Sequence, residues 1–222
     1  MATDEDSPNH SGGRTWLLVA AERREFEGIL KRCDRYGKLD RPGLDCRAEF
    51  ACEAEWQGDR WLLFANGPGA RLAEKALEIR IEVDGIVSTG FCGALDPALR
   101  VGDIVREVLT VDRVAVTAAE KRALREKTGA GAVDMESAAI ARKAAEWGVN
   151  FRVVRAVSDT AAEDLPLDFN SYRGAEGRFS RTRIALAALA RPFAAVPALL
   201  RLDRNCRVAA ESIGEFFAHS RL

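Results

Sequence analysis

The chain reads as an α/β domain, and three stretches predict it. The strongest is Gly131 to Ala161 (GAVDMESAAIARKAAEWGVNFRVVRAVSDTA), a short strand, a helix and a second strand. Its helix runs from about Ser137 to Trp147, with Ala138, Ile140, Ala141, Ala144, Ala145 and Trp147 at the apolar positions and Gly148 as the stop. Phe151 to Val157 is then an extended apolar run that ends on the turn formers Ser158, Asp159 and Thr160. The length of this crossover suits parallel strands. The second stretch, Arg14 to Ala21 (RTWLLVAA), is a buried strand leading into a charged helix with Phe26, Ile29 and Leu30 on one face. The third is a strand, the glycine turn Asn66-Gly67-Pro68-Gly69 and a helix over about 70–81.

The remaining elements follow in order. Residues 1–13 have no apolar core, so they are not a signal peptide, and their composition predicts a mobile tail. Arg47–Glu55 and Arg60–Ala65 read as paired strands joined by the turn Gln57-Gly58-Asp59. Asp84–Thr89 is a buried strand that enters a second glycine loop, Gly90 to Ala94. A further strand is expected from Val101 to about Val111, and a charged helix over Thr117–Lys127 with Thr117 as N-cap and Glu120 at capping-box spacing. After Asp159 comes a loop, then a helix over Arg178–Leu189. Pro192 and Pro197 interrupt the pattern before a last helix over Asp203–Phe217. This divides the chain into the tail, a domain over 14–191 and a basic helical extension over 192–222.

Composition narrows the chemistry. A length of 222 residues suits one α/β domain, and a net charge of −1 argues against bulk nucleic-acid binding. No apolar run approaches the ~20 residues that span a bilayer. The five cysteines are odd in number and form no CxxC pair, as expected of reduced thiols in a cytoplasmic protein. The two histidines, His10 and His219, lie at the extremities. That removes Ser-His-Asp and Cys-His catalysis and a zinc site built on imidazole, and no metal site is expected. Acid–base work falls to carboxylates. From Arg178 onward there are eight arginines against three acids. This tail is either a solvated amphipathic pair packed on the domain or a peripheral contact with an anionic membrane surface.

Two acids sit where an open α/β sheet binds ligands, at the carboxyl ends of strands: Glu136, opening the central helix, and Asp159, closing the strand after it. Glu25 stands at a similar edge, although an acid near a helix start also suits the helix dipole. Gly67 and Gly69 would let backbone amides approach an anion at a helix N-terminus. They form neither a Walker A loop nor the dinucleotide fingerprint.

Val133 to Ala141 (VDMESAAIA) followed by Val153 to Asp159 (VVRAVSD) resembles the signature pair of the purine nucleoside phosphorylase / methylthioadenosine nucleosidase superfamily. The segments Thr89 to Ala94 and Leu99 to Val105 resemble its central glycine motif, and Asn66 to Gly69 its earlier glycine loop. Within the superfamily the chain looks most like the hopanoid-associated phosphorylases. The resemblance implies a three-layer α/β/α sandwich around a mixed sheet. It also implies cleavage of the N-glycosidic bond of a purine nucleoside, adenine being the expected base, by phosphorolysis or hydrolysis.

The same resemblance distributes roles. Asp159 would protonate the leaving purine, which requires it to be protonated when substrate is bound. Glu25 would orient an attacking water. Glu136 would hold the ribose hydroxyls and Met135 would lie against the sugar, with Ser158, Thr89, Gly90 and Phe91 completing the nucleoside site. No cofactor is implied, but phosphate is a candidate co-substrate, with Gly67, Gly69, Arg71 and Arg155 as candidate ligands. Phosphorolytic members carry arginine at the place of Ser88 and serine at the place of Phe91, so their absence beside Glu25 favours water. The chain is also short between Val105 and Thr110, where relatives carry a segment that closes the 5′ side of the sugar pocket and joins subunits. A bulky 5′ group, such as an adenosyl lipid, would then fit. Methylthioadenosine or adenosylhomocysteine hydrolysis and non-catalytic nucleoside binding are the alternatives. Superfamily members form dimers, trimers or hexamers, so a homo-oligomer is expected.

Overall fold

The computed structural model describes residues 13–39, 48–190 and 192–222; the tail expected over 1–13 lies, but for Gly13, outside them. β1 (Thr15–Ala20) leads through a 3-10 turn (Arg23–Phe26) into the single-turn α1 (Glu27–Leu30). β2 (Arg35–Lys38), β3 (Phe50–Trp56) and β4 (Asp59–Ala65) follow, then α2 (Ala70–Ala76), shorter than the periodicity predicts. Next come β5 (Gly85–Ala94), β6 (Ile104–Val105), β7 (Leu109–Thr110) and α3 (Ala118–Thr128). The chain closes with β8 (Ala132–Asp134), α4 (Ser137–Trp147), β9 (Asn150–Asp159), α5 (Arg181–Leu189) and α6 (Pro192–His219).

The strands form one mixed sheet in the order β2-β3-β4-β1-β5-β8-β7, with β9 on the other edge of β5 and β6 beyond it. Alternation along the central strands divides the core into two layers. Trp16, Leu18, Leu63, Val87 and Val154 face α1 and α6, packing with Phe26, Ile29, Ile213 and Phe217. Leu17, Val19, Leu62, Phe64 and Ile86 face α2 and α4, packing with Ala73, Leu77, Ile140, Ala144 and Trp147. The result is the α/β/α sandwich that the family resemblance implies.

β5 organises the sheet. Its first half pairs with β1 through Ser88, and its last residues, Gly93 and Ala94, pair with β8 on that same side. Between the two, one edge of β5 has no strand partner at Thr89 to Cys92 among the described residues, and the cleft opens there. The other edge carries β9 throughout, with a bulge at Cys92/Gly93 that places Asp159 opposite Gly93.

Several expectations are corrected. β8 and β9, expected to be parallel neighbours, do not pair with each other: both pair with β5, β8 antiparallel and β9 parallel. The glycine loop expected at Gly90 to Ala94 is strand, because pairing with β9 outweighs glycine's preference for turns. The single strand expected over Val101–Val111 is instead the two short strands β6 and β7, which pair with different partners. Pro192 and Pro197 do not break the last helix. Pro192 occupies its first position, where no donor is needed. Pro197 frees a carbonyl at the level of Phe193, which is 97% exposed, so water can reach it.

α6 crosses α1 at very short range. A Cβ on Gly28 would lie 1.9 Å from the Ala210 carbonyl oxygen, and one on Gly214 would lie 2.2 Å from that of Gly28. This contact holds α6 against the sheet face that α1 also covers.

Candidate active site

Glu25 comes from the turn after β1. Its Oε2 accepts the backbone N–H groups of Ala21 and Glu22, each at 2.7 Å, and its Oε1 accepts that of Phe91 at 2.7 Å. The last bond satisfies a donor on the unpaired edge of β5. The fit demands glycine next door, since Gly90 has φ +124° and a Cβ there would meet Glu25 Oε1 at 2.5 Å. Burial raises the Glu25 carboxyl to a pKa of about 7, against the opposing pull of the Arg155 guanidinium and the amide donors.

Glu136 is fixed by the start of α4. Asp134 Oδ2 accepts the Ser137 N–H, and Thr110 Oγ1 accepts that of Ala138 while donating to Asp134 Oδ1. Glu136 Oε1 accepts the Gly69 N–H at 2.7 Å, and Oε2 lies 3.2 Å from Arg155 Nη1. Burial raises the Glu136 pKa, with Arg155 opposing and Asp134 adding to the rise. Arg155 has no exposed surface. Its Nη2 bonds Ser88 Oγ at 2.8 Å and lies 3.0 Å from Asp134 Oδ2. One buried cation is thus shared by two buried acids and offsets one of their two charges, while burial favours the neutral form of Glu136.

Asp159 ends β9. Its Oδ1 accepts the Ser158 hydroxyl at 2.8 Å, and Ser158 also reaches the Cys92 carbonyl. Its Oδ2 accepts Lys121 Nζ at 2.5 Å. The sequence predicts a site that keeps this carboxyl protonated; the structure sets the Lys121 ammonium beside it.

These groups line one cleft of about 1010 Å³. Glu25, Phe91, Met135, Glu136, Ser158 and Asp159 all reach it, as the sequence reading requires. Thr89 and Gly90 lie beneath the surface rather than on it, Thr89 with its hydroxyl buried and unbonded. The candidate phosphate ligands fare differently. Arg155 is sealed under the floor by Asp134, Glu136 and Ser88. The Gly69 amide is taken by Glu136, Gly67 does not line the cleft, and Arg71 points away to the Ala175 carbonyl. No cluster that could hold a metal occurs among the described residues.

Sequence reasoning missed two contributors. Leu202, Asp203, Cys206, Arg207 and Ala210 of α6 form one wall, together with Ile184 of α5 and Phe169 and Phe179. The spacing of Cys206, Ala209, Ala210, Ile213 and Phe217 is the signal for that inward face. Lys121 lies in a helix that reads as solvated, and no periodicity marks it.

A model of the family described as the phosphorylase superfamily matches residues 108–190, the part that holds Glu136, Met135 and Asp159. A 5'-methylthioadenosine/S-adenosylhomocysteine nucleosidase from Shewanella putrefaciens is 44% identical over 55 residues, which is 25% of this chain and 24% of that protein. The chain thus matches only about a quarter of the length of such curated relatives. Similarity of fold extends much further. The 5'-methylthioadenosine/S-adenosylhomocysteine nucleosidase of Neisseria meningitidis, in complex with methylthio-immucillin-A, superposes with a TM-score of 0.66 at 19% identity, covering 92% of this chain and 97% of that one. The S-adenosylhomocysteine nucleosidase of Streptococcus pyogenes, in complex with 5-methylthiotubericidin, gives a TM-score of 0.66 at 16% identity over 96% of this chain and 100% of that one.

Proposed function

We propose that this protein hydrolyses the N-glycosidic bond of a 5′-substituted purine nucleoside, releasing adenine. The observation that carries the reading is the convergence of Glu25, Glu136 and Asp159 on one cleft. Breaking the bond leaves positive charge on the sugar and an electron pair on the purine. Asp159 passes a proton to the departing base. Glu136 accepts hydrogen bonds from the ribose hydroxyls and offsets the sugar's charge, with Met135 against its apolar face. Glu25, near neutrality in proton affinity, takes the proton of the water that adds to the anomeric carbon. Water is favoured over phosphate because Arg155 and the Gly69 amide are committed to Glu136, and Arg71 stands off the cleft.

The curated relatives make 5′-methylthioadenosine and S-adenosylhomocysteine the first substrates to try. A bulkier apolar 5′ group, up to an adenosyl lipid such as an adenosyl hopanoid, is supported by the cleft volume and by its Leu165, Phe169, Phe179, Ile184 and Leu202 lining. Adenine release is measured with and without phosphate. Release that needs phosphate overturns hydrolysis, and binding without release overturns catalysis. Faster turnover of methylthioadenosine than of long-chain 5′-substituted adenosines overturns the bulky-substrate reading.

A peripheral membrane contact belongs to the same proposal. Leu186 and Leu189 of α5 and Phe193 and Leu200 of α6 are exposed, and the arginine side chains at 181 and 201 lie nearby in sequence. Apolar side chains beside arginines suit an anionic lipid surface. No helix among the described residues is long and apolar enough to cross a membrane. Sedimentation with phosphatidylserine-rich vesicles tests the contact: Phe193→Asp with Leu189→Asp lowers the bound fraction at least about threefold, a loss in line with removing two buried apolar anchors. Equal binding by this double variant, or no binding by the parent protein, overturns it.

A further inference from the structure

α3 lies behind the cleft and buries one side chain, Lys121, which has no exposed surface. Thr117 caps the helix and Glu120 closes a capping box, so the first turn of α3, and with it Lys121, is held in place. The three donors of the ammonium meet three acceptors: Asp159 Oδ2 at 2.5 Å, the Thr160 carbonyl at 2.7 Å and the Glu163 carbonyl at 3.0 Å. Burying a lysine is costly unless it is fully paired, as it is here. An apolar residue would fill the same place at less cost, so stability alone does not account for lysine.

We propose that Lys121 is a positioning residue for the acid: from α3 it fixes the Asp159 carboxyl and ties it to the Thr160–Glu163 turn. The assignment rests on Asp159 acting as proton donor to the leaving purine.

Other groups around Asp159 do not supply this charge. Cys92 on β5 and Cys206 on α6 are both pushed up by burial, Cys206 to about 12, so both are neutral thiols at working pH. Glu163, at the turn, is engaged by Thr160 and lies 3.5 Å from Arg201 of α6. Glu25 and Glu136 lie across the cleft and belong to the Arg155 cluster. Lys121 is therefore the cation in direct contact with the acid. Ser158, on the other oxygen, is neutral and holds orientation only.

The test compares Lys121→Met and Lys121→Arg in the full chain, each checked by thermal melting. In Lys121→Met the plateau kcat for adenine release falls about 10- to 100-fold while KM stays within about threefold, the pattern of a displaced acid rather than a lost binding contact. Lys121→Arg, which keeps a cation against Asp159, holds kcat within about threefold of the parent. A folded Lys121→Met with unchanged kcat overturns the proposal, as does a Lys121→Arg variant whose kcat falls as far as that of the methionine variant. Should Lys121→Met not fold, Lys121→Gln takes its place, with the same expected loss and the same overturning result.

Binding separates this inference from the reading beneath it. An acid aimed at the purine's imidazole nitrogen favours adenosine derivatives over their 7-deaza analogues. Lys121→Met narrows that preference even where turnover is not observed. A parent protein that shows no preference removes the acid assignment itself. A preference that Lys121→Met leaves intact removes Lys121 alone.

Discussion

At the level of single residues, the three acids differ in what their surroundings ask of them. Glu25 receives three amide donors and is nonetheless raised to about 7 by burial. As the proposed base, it acts in its ionised form. Below pH 7 the protonated fraction grows, so kcat/KM of the free enzyme falls about tenfold per pH unit on that side. A profile flat down to pH 5 excludes Glu25 as the base. Asp159→Asn removes the donated proton and lowers kcat by about 10²- to 10⁴-fold with the fold retained; full turnover by that variant removes the acid. Gly90→Ala drives a methyl into Glu25 Oε1 at a left-handed φ, which costs about 1–3 kcal/mol. Urea denaturation measures this cost, and an unchanged midpoint contradicts it. Glu136 and Asp159 are legible in sequence because strand ends and motifs mark them. Lys121 is not, since its partners, the Asp159 carboxylate and two backbone carbonyls, lie some forty residues away and only the fold brings them near.

At the level of elements, those with a local cause are read correctly. β1, the β3–β4 pair with its turn, α4 and α3 with its capping box all appear where period, turn residues or caps place them. Errors fall where a partner decides. Gly90 to Ala94 is extended because β9 pairs with it, and α6 continues through Pro197 because exposed helix tolerates one lost bond. α6 is also where a remote change reaches the cleft. Gly28→Ala or Gly214→Ala has no room at the α1 crossing and destabilises by about 1–3 kcal/mol. Either one displaces the wall carrying Leu202, Asp203 and Cys206, so substrate KM rises along with the loss of stability. Chemical denaturation and steady-state kinetics on the same samples check both, and an unperturbed KM in a destabilised variant would detach that wall from substrate binding.

At the level of the whole molecule, the sheet explains why the acceptor is expected to be water. The buried Arg155 carries positive charge beneath the floor, where it pairs with Asp134 and Glu136 rather than meeting an incoming anion. Inorganic phosphate up to millimolar concentration therefore leaves the rate of adenine release unchanged, as followed by ultraviolet absorbance; a rate that saturates with phosphate reverses that conclusion.

The exchange of neighbours along β5, from β1 to β8, gives this protein its working crevice. It also means that the acids are recruited from two well-separated parts of the chain. The portion over 108–190 carries Glu136 and Asp159, but the Glu25 carboxylate and the Gly69 amide arrive from upstream. Grafted alone onto a foreign scaffold, that portion would transplant the lettering of the chemistry without its seat. Inheritance of the proposed activity needs a host strand that changes partners midway.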